Sequence, residues 1–159
     1  GIPEFFREYV VAAANIMTPN LFELQYLVGR QTQTLHDVVA AAHQLRTQGP
    51  DIVLVTSVVA SDASDGLLRM LAVDGDSTWL VETPMLDRHF VGSGDLTSAM
   101  FLAHWLRTRN VGETLGATAS VVYSILEQTA VSGEPELQLV AAQEQVVSPT
   151  NIFTARPLS

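Results

Sequence analysis

Four consecutive apolar residues, Ile52-Val53-Leu54-Val55, follow a Gly49-Pro50 break. A strand with one wet face alternates apolar and polar residues, whereas an unbroken β-branched run belongs to a strand covered on both faces. Such a strand needs helices on each side of its sheet, so the chain is constrained to a layered α/β fold. Asn20 can cap a helix over residues 21–27 that Gly29 closes. Thr34 and Asp37 have the spacing of a capping box for a helix running to about Gln48, with Leu35, Val38, Val39, Ala42 and Leu45 on its apolar face. Residues 67–73 and 78–81 flank Asp74-Gly75-Asp76-Ser77 and read as an antiparallel hairpin. Further helices are expected over about 94–107, 111–129 and 135–146, with Gly133 between the last two and an irregular tail over 149–159. Ahead of all these, residues 1–14 lead into a short strand, Asn15-Ile16-Met17. The order predicts one mixed, mostly parallel sheet flanked by helices, with the hairpin as its antiparallel part.

Composition removes several function classes. The chain has 159 residues, 47% of them apolar, and a net charge of −9 with only eight Lys and Arg. Phosphate backbones are bound by clustered cations, so nucleic acid is not an expected partner. No cysteine is present, which excludes disulfides and thiolate metal sites. His36, His43, His89 and His104 show no His-x-x-x-His spacing, so no histidine metal site is expected. Asp62, Asp65, Asp74 and Asp76 do not make a calcium loop, because position twelve counted from Asp62 is Val73 where a bidentate Glu is required. They read as solvated turn acids. No apolar stretch reaches the roughly 20 residues that cross a bilayer, and no signal peptide is visible, so a cytoplasmic protein without a membrane partner is expected. Val121, Val122, Ile125 and Leu126 read as core, and Trp79, Trp105, Phe101 and Phe153 as packing residues.

The chemistry concentrates in Val91-Gly92-Ser93-Gly94-Asp95, at the start of an apolar helix. The first amides of a helix have no intrahelical partners and carry a partial positive charge. Glycines let that backbone approach an anion closely, so the turn suits a phosphate. A carboxylate beside a phosphate repels it unless it has another task, such as taking a proton from an attacking hydroxyl. That pairing suggests phosphoryl transfer; the alternative is an ordinary glycine loop with Asp95 as an early-turn helix acid. A dinucleotide fingerprint is excluded by Thr97 and a nucleophile elbow by Val91 and Asp95, where each needs glycine. No Gly-Lys-Ser/Thr run exists for a P-loop.

Together with residues 17–24 (Met17-Thr18-Pro19-Asn20 onward), 48–56 (ending Val55-Thr56) and 136–143, this turn resembles the ribokinase-like superfamily, and more narrowly the C-terminal part of bacterial pyridoxal kinases. The resemblance covers nearly the whole chain but about the second half of a typical member. It implies that 1–159 is a single partial domain, one piece of a larger polypeptide whose N-terminal half supplies most of the substrate pocket. It also implies Asp95 as the base on the 5′-hydroxymethyl group and Gly92, Ser93 and Gly94 as the anion hole. Glu23 would help place magnesium, through water, and Thr18, Thr56, Ser57, Thr83, Pro84, Met85 and Leu86 would line the nucleotide. Phe90 and Val91 would wall the adenine. The implied ligands are ATP with Mg2+ and a pyridoxal-type molecule; a monovalent cation such as K+ and a homodimer are further family expectations. Some bacterial members carry lysine where this chain has Thr56, which removes one phosphate-facing charge. The alternatives are a hydroxymethylpyrimidine or sugar kinase of the same fold, or an inactive nucleotide-binding fragment.

Overall fold

The computed structural model describes residues 1–59, 66–75 and 77–158. A helical N-terminal segment (α1, Ile2–Phe5; a π turn, Phe6–Val10; α2, Val11–Ala13) precedes β1, Ile16–Met17. Then come α3 (Leu21–Val28), α4 (Leu35–Arg46), β2 (Ile52–Val58), β3 (Leu67–Asp74), β4 (Ser77–Pro84), α5 (Ser93–Thr108) and α6 (Val111–Ser132). A 3-10 turn, Gln143–Val146, and a short β5, Arg156–Pro157, complete the chain.

The five strands form one sheet in the order β1-β2-β3-β4-β5. β2 is buried on both faces, as its composition predicts, and successive residues part company. Val53 and Val55, with Leu71, Val73 and Leu80, pack towards Leu24, Val38, Ala42 and Leu45 of α3 and α4. Ile52 and Leu54, with Met70, Ala72 and Val81, pack towards Phe101, Val111, Leu115 and Ala119 of α5 and α6. The period-two alternation of a strand thus distributes one hydrophobic run between two cores.

The sheet is mixed, but its parallel share is smaller than expected: among the strands of the described residues only β1 and β2 pair in parallel, and the other three pairings are antiparallel. Burial on both faces reports how many helical layers cover a strand, not the direction of its neighbour. β3 and β4 pair in unbroken register from Leu67 opposite Pro84 to Asp74 opposite Ser77. The β2–β3 ladder shifts register between Val55 and Val58, where Ser57 adopts φ 54. One extra residue on β2 makes this a β-bulge.

The expected capping box at Thr34 forms, and the expected Asn20 cap is also a full capping box. Asn20 and Glu23 exchange side-chain-to-backbone hydrogen bonds at 2.9 and 2.8 Å, and Thr34 and Asp37 do the same. The backbone and hydroxyl of Thr34, then the Gln33 amide, hold the Asp37 carboxyl down to about 2. The aromatic packing readings also stand, since Phe101 is fully buried and Trp79, Trp105 and Phe153 pack on the second core; of the expected core stripe on α6, Val121, Val122 and Ile125 are buried, whereas Leu126 is only half-buried. Gly112 lies so close under Trp79 that a Cβ would come within 2.7 Å of its ring.

Three expectations are corrected. Residues 135–146 are not a helix; turns run to Ala142 and only Gln143–Val146 coils, as a 3-10 turn. Its own backbone bonds close isolated turns, such as the Ala142 amide to the Gln138 carbonyl at 2.8 Å, and two more tie it to α6: the Gln138 amide donates to Thr129 Oγ1 and the Gln128 side chain donates to the Ala141 carbonyl. Val140 is 83% exposed, so no apolar stripe exists to hold a helix there. The tail is not wholly irregular, since β5 pairs with Trp79 and Leu80 on the edge of β4. Asp74 is half-buried at the end of β3, not fully solvated, while Asp62, Asp65 and Asp76 lie outside the described residues.

Candidate active site

β1, β2 and β4 run in the same direction, because β1 is parallel to β2 and two antiparallel steps lead from β2 to β4. Their carboxyl ends therefore share one rim. In α/β sheets that rim is where ligands bind, and the expected site residues gather on it. Thr18 follows β1, Thr56 and Ser57 end β2, Thr83 and Pro84 end β4, and the chain from Met85 leads into the start of α5.

At the β1–β2 end, Thr56 donates its amide to the Pro19 carbonyl at 3.0 Å and bridges in parallel to Asn20. The bulge at Ser57 turns that residue out of the ladder and leaves it exposed. With Asn20, Leu21, Phe22, Gln25 and Val59 it lines an open depression of about 470 Å³. Glu23 is exposed on the first turn of α3. One of its carboxylate oxygens accepts from the Asn20 amide at 2.8 Å, which fixes the side chain and leaves the second oxygen for another partner.

α5 starts differently from its neighbours. Asn20, Thr34 and Asn110 cap α3, α4 and α6 with their side chains, whereas α5 begins at Gly92 with no side-chain cap. Gly92 has φ 86, a conformation that favours glycine. The Ser93 hydroxyl turns back to the Phe90 carbonyl at 3.0 Å, so it closes the turn and does not project from it. The amides of Gly94 and Asp95 lie in the first turn, where a helix has no carbonyl to offer them. The Asp95 side chain is exposed beside them. This is a helix start open to an anion, with a carboxylate at its lip.

Other placements differ from a simple lining role. Thr83 is buried, 6% exposed, while Pro84 and Met85 are exposed and Leu86 is half-buried. Phe90 is buried and stacks under the Arg88 guanidinium at 5.8 Å; Val91 is exposed. Arg88 is hydrogen-bonded to the carbonyls of Gly133 and Glu134, which pins the segment before the glycine turn to the end of α6. Neither Arg88 nor Ser98 stood out from the sequence; their partners lie 45 and 80 residues away. Among the described residues no cluster of three His, Asp or Glu side chains could hold a metal ion. His43 instead bonds the Thr78 hydroxyl at 2.9 Å, and burial pushes the His104 imidazole down, with help from Arg107.

The sequence profile of the phosphomethylpyrimidine kinase family matches residues 2–138. The chain belongs to this family. Within its wider set of relatives, the pyridoxal kinase PdxY of Rubrobacter xylanophilus is 48% identical over 157 residues, covering 98% of this chain and 54% of that protein. PdxY of Leifsonia xyli subsp. xyli is 45% identical over 153 residues, covering 96% of this chain and 54% of its own length. The chain spans about half the length of the curated relatives it matches. Among solved structures, pyridoxal kinase from Leishmania donovani in complex with ADP and pyridoxamine superposes with a TM-score of 0.90 at 22% identity, over 99% of this chain and 56% of that one. Plasmodium falciparum PdxK with AMP-PNP and PL gives 0.84 at 19%, over 99% and 54%. At such identities these two establish the shared fold, with this chain's mixed sheet and flanking helices as part of it.

Proposed function

We propose that the full-length protein transfers the γ-phosphoryl group of ATP to the 5′-hydroxyl of pyridoxal and related B6 vitamers. The observation that carries this reading is the start of α5, where open amides and the exposed Asp95 carboxylate stand together without a side-chain cap. The relatives named pyridoxal kinase supply the substrate class. Asp95 takes the proton of the substrate hydroxyl. The alkoxide oxygen then bonds to the γ-phosphorus as the bond to the β–γ bridging oxygen breaks, and ADP leaves. The amides of the Gly92–Gly94 turn hold the charge on the transferred group, donors that need no reorganisation because the helix fixes them. Thr18, Thr56, Ser57 and the segment Thr83–Leu86 border the nucleotide, and Phe90 and Val91 its base.

Magnesium prefers oxygen ligands, keeps several waters and is commonly held by one or two carboxylates plus phosphates. A lone exposed Glu23, fixed by Asn20, fits a metal that arrives with the nucleotide; an all-protein cage does not fit. Bound there, the metal would neutralise phosphate charge. Cytoplasmic location and a homodimer complete the proposal. Among the described residues no helix is long and apolar enough to cross a membrane.

The test is ADP release by the full-length protein with magnesium, ATP and pyridoxal. Asp95→Ala is expected to lower kcat by ~100- to 10,000-fold and to leave ADP affinity nearly unchanged. Retained turnover in that variant refutes the role of Asp95. The name of the matched family favours a second substrate, hydroxymethylpyrimidine; the ratio of kcat/KM for the two compounds decides between them. Replacing K+ by Na+ in the same assay reads monovalent-cation dependence.

A further inference from the structure

Ser98 lies one turn beyond Asp95 on α5, outside the glycine turn. Its hydroxyl oxygen is 2.9 Å from the Gly94 carbonyl oxygen and 2.7 Å from Thr18 Oγ1. A serine hydroxyl has a single proton, and a carbonyl can only accept. The Ser98 proton therefore goes to Gly94, and the Thr18 hydroxyl donates to Ser98. The two bonds form a directed chain from the loop after β1 to the backbone of the anion-holding turn, between residues 80 positions apart.

The chain matters for two reasons. Among the described residues, the other side-chain hydrogen bonds of this turn stay within it, Ser93 to the Phe90 carbonyl and Thr97 to the Ser93 carbonyl. The Ser98–Thr18 bond leaves the segment and ties α5 to the element that carries Asn20 and Glu23. In addition, the Gly94 carbonyl and the Asp95 amide belong to one peptide unit. A donor on that carbonyl polarises the unit and strengthens its N–H towards an anion, the cooperative effect of linked hydrogen bonds.

We propose that Ser98 is a positioning residue, whose hydroxyl sets the distance between the β1–α3 loop and the glycine turn and polarises the Asp95 amide. The inference rests on the phosphoryl-transfer reading above. Thr18, with its proton committed to Ser98, acts here as a support for the turn and not as a donor to phosphate.

The test uses the full-length protein with Ser98→Ala, Ser98→Thr, Thr18→Val and the Ser98→Ala/Thr18→Val pair. Ser98→Ala is expected to lower kcat on the order of 10-fold, since small displacements at a reacting centre are costly, while KM for ATP and for pyridoxal stays within about twofold. Ser98→Thr, which keeps the hydroxyl, restores most of the rate. The double variant is no slower than the slower single, because both changes break one chain. A kcat within about twofold of the unsubstituted enzyme, or effects that multiply, overturns the proposal. Hydrogen exchange gives a readout that needs no turnover. The Leu96 amide, bonded to the Gly92 carbonyl at 3.0 Å, should exchange about 3- to 10-fold faster in Ser98→Ala, the equivalent of one net hydrogen bond, with Tm lowered by no more than a few degrees. Unchanged exchange also overturns it. If the unsubstituted protein phosphorylates neither pyridoxal nor hydroxymethylpyrimidine, the proposed function fails, and the exchange result alone decides the role of Ser98.

Discussion

Gly94→Ala separates the anion-holding turn from an ordinary helix start, because both readings predict a gain in stability and only the first predicts a loss of activity. Gly94 sits in the first turn of α5 with an ordinary negative φ, and a Cβ built there meets no heavy atom within 4 Å. Folding alone should therefore welcome the methyl group. Alanine is favoured over glycine in helices by about 1 kcal/mol, and about half of that survives in a first turn. The gain corresponds to a rise in Tm of roughly 1–2 °C. Catalysis should suffer on the proposed mechanism, which brings the transferred phosphoryl group to the amides of Gly94 and Asp95 through the open space beside Gly94. Blocking one such donor costs on the order of 100-fold in kcat. Differential scanning calorimetry and the ADP-release assay on the same preparation read the two quantities. A variant with raised Tm and unchanged kcat/KM would refute the claim that substrate phosphate reaches this backbone.

Three further substitutions probe the scaffold. Gly92→Ala forces alanine into φ 86 without a steric clash, since its nearest neighbour is a Leu137 methyl at 3.5 Å; it should cost about 1–2 kcal/mol, with Gly92→Asn losing less in thermal unfolding. Gly112→Ala drives a methyl to within 2.7 Å of the Trp79 ring, and urea denaturation should show a net loss of about 1–3 kcal/mol with the slope unchanged. The Asp37 carboxyl should titrate near about 2 by NMR, well below the ordinary value of about 3.9. Its pKa is depressed on folding, so its stabilisation is complete above about 4 and is lost as pH falls through about 2. Asp37→Asn should accordingly differ from the unsubstituted protein at neutral pH and converge with it in acid.

Local chemistry was the legible part of the fold. Both capping boxes follow from residues three apart, and the stops at Gly29 and Gly133 follow from the left-handed conformation glycine adopts there. The covered strand β2 announced two helical layers. What failed depended on distant partners. Residues 135–146 contain Leu137, Leu139 and Val140, which suggested a helix, but side chains of α6 take the Gln138 amide and the Ala141 carbonyl between them. Strand direction was overread, because β3 lies under the same two layers as β1 and looks no different from the viewpoint of β2. The carboxyl-end rim was legible through motif resemblance and the glycine turn, which name Asp95, Glu23 and Thr56 but not how they are held. Arg88 and Ser98 act through contacts between segments far apart in sequence, and neither residue belongs to a recognisable pattern.

The bulge in β2 has a consequence for how the rim tolerates change. Val58 packs on the same face as Val53 and Val55, five and three residues away, which a regular strand does not permit. The extra residue absorbs the mismatch and places Ser57 outside the ladder. Repacking around Val53 or Val55 is therefore mechanically insulated from the Ser57 hydroxyl, as a slack joint insulates two rigid bars. The interior of the sheet can drift in sequence while the geometry at its mouth is retained, and a one-residue deletion at Thr56 or Ser57 would remove that freedom by reconnecting the two.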